Sequence, residues 1–256
     1  MLSLVRQEFY KSKKTLAFYS SILLPIFINA LVVCIFIYKK EDILKAQDFN
    51  IWLRYLSFSL SIMGSLILPM YIIFLSFSIN DVEHKNDTWK TLFTYPYSKA
   101  NIFLSKWLIG VLFLGFSMFC FFLFTALSGY FLQYIDIRYG FEKHAMIWNL
   151  FLIYSKIFIA SLALYSLQFL ISMQWSDFMK SMGIGLLLTI ASMIIFRWEY
   201  IYIIPYAQPL YSISNLIDVK NDFAVIFNAK EIYYALATAL VFTMSSYLLM
   251  LKKIIK

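Results

Sequence analysis

The sequence predicts an all-α protein that crosses a membrane six times. Hydrophobic residues make up 62% of its 256 residues and charged residues only 14%, whereas soluble proteins average roughly half and a quarter. Six apolar windows are each close to the ~20 residues that a helix needs to cross the hydrocarbon of a bilayer. These windows are Leu16–Tyr38, Tyr55–Ile79, Ile102–Leu127, Ile147–Met173, Met179–Phe196 and Ile232–Leu251. We therefore expect a single membrane domain over residues 1–256.

The distribution of lysine and arginine predicts the orientation. An even number of spans places both termini on one side, and that side carries twelve basic and five acidic residues, whereas the other carries nine of each. Because positively charged loops stay in the cytoplasm, we expect cytoplasmic termini in a multi-pass protein of the cell membrane. The net charge of +8 then reflects topology. It indicates contact with the lipid bilayer and gives no reason to expect nucleic acid.

Residues 1–15 have the pattern of a basic amphipathic helix. Leu2, Val5 and Phe9 recur at helical spacing beside Arg6 and a group of lysines. Such a helix lies in the membrane interface with its apolar face towards lipid.

Residues 80–101 are the longest polar interruption that also has helical periodicity. Val82, Trp89 and Leu92 can share one apolar helix face, while the charged residues stay solvated. Pro96 then begins a turn into the third span. We expect a cytoplasmic amphipathic coupling helix between the second and third spans. Periodicity alone does not separate docking to a partner from lying on lipid. The charged residues are Glu83, Lys85, Asp87 and Lys90.

Residues 197–229 precede the last span, and their first half is too aromatic and apolar for a loop bathed in water. Pro205 and Pro209 would interrupt a helix there. One interpretation is a re-entrant segment, which is tolerated at membrane depth where protein covers it or water reaches it. The other is a plain interfacial belt of tryptophan and tyrosine.

Lys156 is the ionisable residue that the sequence places well inside a span, roughly 12 Å below the outer boundary. Such residues usually face a bundle interior or water. Lys156 would then line a substrate route or bind an acidic group. The alternative is a side chain that snorkels to the outer interface.

The sequence shows no catalytic or metal-binding constellation. A phosphate-binding loop needs a glycine-rich turn followed by lysine and Ser or Thr, and no such run occurs. His84 and His144 fall on opposite sides of the predicted membrane, and Cys34 and Cys120 fall inside spans. We therefore expect no catalytic residue, metal ion or cofactor in this chain, and a membrane-embedded enzyme is disfavoured.

The coupling stretch carries a family resemblance. Glu83, Lys85, Thr88-Trp89-Lys90 and Leu92, followed by Pro96 and by Lys106, are similar to the cytoplasmic signature of ATP-binding-cassette type-2 permeases. In that family the signature has the form E-x-K-x-x-T-W-K-x-L, with a proline and a lysine after it. The six spans and the amphipathic amino-terminal helix also fit the family. In overall texture the chain most resembles the short permeases that protect bacteria from lantibiotics or bacitracin.

The resemblance implies a permease subunit of an ATP-driven exporter that has no ATPase of its own. A second permease subunit and a dimer of cassette ATPases would be its partners, and ATP and Mg would be bound by the ATPase. Residues Glu83 to Lys90 would sit in a groove of that ATPase. The alternative from another class is a non-transporting membrane scaffold or accessory subunit that recruits a cytosolic partner.

Overall fold

The computed structural model describes residues 1–45, 50–85, 97–143, 146–218 and 230–254. Throughout these ranges the regular secondary structure is helical, and no strand occurs in them. Ten α-helices occur in the described ranges. They are α1 (Leu2–Ser12), α2 (Leu16–Tyr38), α3 (Lys40–Lys45), α4 (Ile51–Ile62), α5 (Leu68–Lys85), α6 (Lys99–Ile135), α7 (Ile147–Gln174), α8 (Phe178–Ile194), α9 (Gln208–Asp218) and α10 (Lys230–Ile254).

Five helical stretches in the described ranges are long and apolar enough to cross a membrane: Leu16–Tyr38, Ile51–Lys85, Lys99–Ile135, Ile147–Gln174 and Lys230–Leu251. The predicted fifth span corresponds to α8, an apolar helix of 17 residues. The chain is thus a multi-pass membrane protein.

The long helices extend beyond the predicted windows. The second crossing begins at Ile51 and continues to Lys85, so Asn80–Lys85 are the last turns of this crossing. α6 continues to Ile135 and has 37 residues, which is about 56 Å at 1.5 Å per residue. The predicted window Ile102–Leu127 was too narrow because it was chosen to fit the hydrocarbon thickness, whereas the helix continues beyond it at both ends.

Polar side chains start several helices. Ser98 accepts a hydrogen bond from the backbone N–H of Asn101 at the start of α6, and Asp177 accepts one from Met179 at the start of α8. Asn50 does the same for Trp52 at the start of α4. Such caps satisfy N–H groups that have no partner within the first turn.

A π-helical turn, Met63–Ile67, joins α4 to α5. Pro69 follows two residues later, in the first turn of α5. Because proline has no N–H, it cannot continue the ladder of the preceding turn, and the chain widens there. The irregularity expected from a proline inside a span therefore lies in this turn.

α7 is the central helix, since it packs against α5, α6, α8, α9 and α10. A hydrogen bond connects α7 to α6: the Tyr154 hydroxyl lies 2.7 Å from Oγ1 of Thr125. Thr125 in turn donates to Oδ1 of Asn29 in α2, which also accepts from the Tyr55 hydroxyl in α4. This buried chain joins four helices.

The bundle has two distinct ends. At the first, which we call the terminal end, α1 meets the end of α5 and the start of α6. The end of α10 lies there too, since the Tyr247 ring is 5.6 Å from the Phe103 ring of α6. At the opposite end, the loop end, Asp136 pairs with Lys40 at 2.5 Å and with Arg138 at 2.8 Å.

Candidate functional site: two buried ion clusters

Four charged side chains meet at the terminal end, and we call them the root cluster: Glu8, Lys11, Glu83 and Lys106. The Lys106 ammonium lies 2.5 Å from Oε2 of Glu83 and 3.1 Å from Oε2 of Glu8. Both Lys106 and Glu83 are almost completely buried, at 2% and 1% exposure. One buried cation therefore bridges two carboxylates from α1 and α5.

Lys11 completes the root cluster from its solvent side. Its ammonium lies 2.9 Å from Oε1 of Glu8 and 3.3 Å from Oε1 of Glu83, and 41% of its side chain is exposed. Two cations and two anions thus share four short contacts. The formal charges cancel, as burial of ions requires.

The pKa values of the two α1 members favour their charged forms. Burial by itself would raise the pKa of Glu8, but Lys106 and Lys11 together outweigh it and lower the pKa. For Lys11, burial would lower the pKa, but hydrogen bonding and attraction to Glu8 and Glu83 raise it. Both groups are therefore ionised at neutral pH.

α1 turns its polar side chain inward because of helical spacing. Leu4, Glu8 and Ser12 recur every four residues and are buried against the bundle. Phe9 is 36% exposed and Val5 is half-buried, whereas the side chain of Leu2 lies outside the described part of the chain. α1 therefore docks on the bundle through Glu8, while the partly exposed ring of Phe9 also packs edge-on against Phe18 and Phe113, with ring centroids 6.3 and 6.0 Å away.

The expectation that Glu83 is solvated is wrong. Glu83 is buried because α5 continues past Ile79 and carries this carboxylate between α1 and α6. Lys85 fits the expectation: its side chain is 74% exposed and pairs with Asp81 at 2.6 Å, one turn back in the same helix. The remaining predicted coupling residues lie outside the described residues: Asp87, Thr88, Trp89, Lys90, Leu92 and Pro96.

The sequence reasoning did not predict that Glu8, Lys11 and Lys106 meet in a site, although it counted Lys106 in the family signature. Two signals were present: Glu8 is the single acidic residue among several basic ones in residues 1–14, and Lys106 interrupts an apolar run. Neither feature names its partner, because the pairs lie far apart in sequence.

A second buried cluster, the span cluster, consists of Lys156, Asn215 and Glu231. The Lys156 ammonium lies 2.9 Å from Oε1 of Glu231, and each side chain is only 4% exposed. The Asn215 amide donates to the same oxygen at 3.2 Å. The snorkelling alternative for Lys156 is therefore wrong, because the side chain ends on a carboxylate of α10 inside the bundle.

The two predicted prolines lie at the start of α9. Pro209 is the second residue of this helix, a position where a missing N–H costs nothing. Pro205 stands just before Tyr206, whose hydroxyl donates to Oε1 of Gln168 in α7. Both prolines belong to the segment that carries Asn215, which shares the Glu231 carboxylate with Lys156.

α9 lies alongside α7 and runs antiparallel to it. Its entry is level with Gln168 and its later part with Lys156, positions that are about 18 Å apart along α7. Tyr206 is 3% exposed, and Gln208 and Ser212 are completely buried. A plain aromatic belt does not describe residues 206–216, although Trp198 and Tyr200 remain about half exposed.

A groove of about 220 Å³ opens between α6 and α7. Its wall is mainly aromatic, with one serine hydroxyl and one tyrosine. The lining residues are Gly115, Met118, Phe119, Phe122, Phe151, Tyr154, Ser155 and Phe158. Within the described residues, no group of three or more His, Cys, Asp or Glu side chains is placed to hold a metal ion.

Residues 4–192 match the family model of the ABC-2 family transporter proteins. The chain belongs to this family. The matched range covers most of the chain and contains every member of the root cluster, whereas α9 and α10 lie beyond it. No curated protein and no solved structure matches the chain.

Membership assigns the architecture at a coarse level. This ABC-2 protein is a multi-pass permease subunit of an ABC transporter and works with an ATPase partner. The root cluster lies where α5 and α6 leave the bundle. These two helices flank residues 86–96, which belong to the segment that resembles the family signature.

Proposed function

We propose that this permease exports a hydrophobic or amphipathic substrate from the membrane, such as an antimicrobial peptide of the lantibiotic or bacitracin type. The observation that supports the coupling of this permease to an ATPase is the root cluster. Through Lys106 it ties the end of α5 to the start of α6 and both to α1. The segment between α5 and α6 is thereby held at both of its ends by buried charges.

Such an anchorage suits the transmission of force. A cytoplasmic element that moves with an ATPase transmits its motion to the spans only if it is continuous with rigid helices. α5 continues from the spans through Glu83 to Lys85, and α6 begins at Lys99. Together with Asp87, Thr88, Trp89, Lys90, Leu92 and Pro96, these helix ends would form the contact with the ATPase.

The proposed assembly follows from the division of chemistry. The cassette ATPases, acting as a dimer, would bind ATP and Mg, and a second permease subunit would complete the pathway as a homodimer or heterodimer. Both termini and the root cluster would face the cytoplasm, in keeping with the excess of lysine and arginine on that side.

The transport pathway would run beside α9. We place this helix within the membrane as a re-entrant element, because its buried surface lies against the middle of α7. Lys156, Pro205 and Pro209 would then border the route. The aromatic groove between α6 and α7 and the apolar bundle suit cargo with little charge.

The test uses the permease co-purified with its ATPase and reconstituted in lipid vesicles. Trp89→Ala is expected to abolish most substrate-stimulated export while leaving membrane insertion and basal ATP hydrolysis intact. Trp148→Ala is the matched control, since Trp148 is an exposed tryptophan at the start of α7, outside the proposed contact with the ATPase. Normal export by the Trp89 variant would remove the docking role.

The same preparation separates an exporter from a scaffold. An exporter co-purifies with an ATPase whose rate rises with added amphipathic peptide. A scaffold would bind a cytosolic partner but would show no peptide-dependent hydrolysis.

A further inference from the structure

α9 is held in place by three different contacts. At its entry, the Tyr206 hydroxyl donates to Gln168 of α7. In its middle, Ile213 packs against the π-helical turn between α4 and α5. Near its end, Asn215 donates to Glu231 of α10. The helix therefore lies between the second crossing on one side and α7 and α10 on the other.

The contact with the π-helical turn depends on a missing side chain. A β-carbon at Gly64 would lie 2.5 Å from Cδ1 of Ile213 and 3.6 Å from Cδ1 of Leu210. Ile213 could turn aside for an alanine, but a phenylalanine would need the space that α9 occupies. Gly64 thus permits the close approach of α9 to the second crossing.

The contact with α10 depends on charge. Glu231 accepts from both Lys156 and Asn215 through the same oxygen. The Lys156–Glu231 pair fixes the position of the carboxylate on α10, and the carboxylate in turn holds Asn215. A buried ion pair of this kind gives directional contacts in an otherwise apolar surrounding.

We infer that Glu231 and Asn215 are positioning residues for transport: with Lys156 they hold α9 closed against Gly64, and release of this hold lets α9 move away from the pathway that it borders. The pathway itself rests on the proposed function, whereas the holding of α9 does not. Loss of the Glu231 charge leaves the Lys156 ammonium buried without its carboxylate and weakens the hold on Asn215. α9 then separates from the bundle more often.

The test measures how often α9 separates from the bundle. The measured quantity is the rate of thiol labelling of Ser212→Cys. Ser212 is completely buried in α9. The background carries Cys34→Ser and Cys120→Ala, because both native cysteines are free. The permease, in complex with its ATPase in vesicles, is treated with a small water-soluble maleimide. Ser76→Cys, an equally buried position in α5, reports general loosening.

Labelling of Ser212→Cys is expected to be slow in the parent and about tenfold faster with Glu231→Gln, since rare local openings set the rate at a buried site. Asn215→Ala should act in the same direction, whereas Glu231→Asp should stay close to the parent. Labelling of Ser76→Cys should not change. The exchanged pair Lys156→Glu/Glu231→Lys should restore much of the slow rate. In the parent, ATP with Mg should raise labelling of Ser212→Cys.

Equal labelling of Ser212→Cys in the parent, Glu231→Gln and Asn215→Ala would overturn the proposal. An equal increase at Ser76→Cys would do so too, because the whole bundle would then open together and not α9 alone. If Glu231→Gln does not fold, Lys156→Met/Glu231→Leu replaces it. This variant leaves no unpaired buried charge, but it also removes the carboxylate that holds Asn215. Labelling of Ser212→Cys should therefore still be faster than in the parent. The ATP-free labelling needs no export, so a failure of the proposed function is seen separately, as absent peptide-stimulated hydrolysis.

Discussion

Replacement of Lys106 by methionine tests the root cluster directly. The change removes the buried cation that lies 2.5 Å from Glu83 and 3.1 Å from Glu8 but keeps a side chain of similar length. Two carboxylates, 1% and 7% exposed at the side chain, then share the single ammonium of Lys11. Removal of one partner from a buried ion pair costs about 3–5 kcal/mol of the free energy of unfolding.

The assay is thermal unfolding of the purified permease in detergent, followed by tryptophan fluorescence. A loss of about 3–5 kcal/mol corresponds to a drop in Tm on the order of 10 °C in a chain of this size. Lys99→Met is the matched control, because Lys99 is an exposed lysine in the same helix and surface changes stay within about 0.5 kcal/mol. The double variant Lys106→Met/Glu83→Gln restores charge balance and should recover part of the loss.

The comparison of Tm between Lys106→Met and Lys99→Met tests this reasoning. If Lys106→Met melted at the same temperature as Lys99→Met, the cluster would contribute nothing to holding α1, α5 and α6 together, and the anchorage argument for the segment between α5 and α6 would fail.

Three further predictions concern stability. Lys156→Met alone should cost about 3–5 kcal/mol, whereas Lys156→Met/Glu231→Leu should be nearly neutral, since the double variant leaves no buried charge unpaired; both are measured by thermal unfolding. The pKa of Glu8 is lower in the folded protein than its usual value of 4.5. The contribution of Glu8 to the stability of the folded protein is therefore complete above about pH 4.5 and is lost as the pH falls through the lower pKa of the folded state. Glu8→Gln should thus flatten the acid side of a Tm-versus-pH profile. Gly129→Ala should cost about 1–3 kcal/mol, because its β-carbon would meet the ring of Trp52 at 2.3 Å and that ring is buried.

Each of these has a distinguishing control. A double variant no more stable than Lys156→Met would show that the charges do not act as a pair. An unchanged acid profile in Glu8→Gln would place the acid-sensitive groups elsewhere. Gly115→Ala serves as the glycine control, since its β-carbon would make only ordinary contacts with Phe158, and equal losses at both glycines would contradict the packing argument.

Hydropathy located five of the six predicted crossings because the signal is local, and a crossing by α8 stays a prediction. Twenty consecutive apolar residues need no knowledge of their neighbours to be recognised, and five such helices are present in the described residues. Boundaries were less well predicted: α6 extends to Ile135 and the second crossing to Lys85, since a window chosen to fit the hydrocarbon thickness does not show where a helix ends. The stretch that resembles the family signature was recognised from the order of its residues, yet the burial of Glu83 was not predicted.

The sequence by itself thus determined the class of protein, an α-helical membrane permease without a phosphate-binding loop, and the location of its polar segment between the second and third crossings. Only the tertiary structure decided which charges are partners. Glu8 and Lys106 lie 98 positions apart in the chain, and Lys156 meets Glu231 on a helix far along it. A buried ion takes whichever opposite charge the packing of helices brings within hydrogen-bond distance, and no periodicity along one helix contains that information.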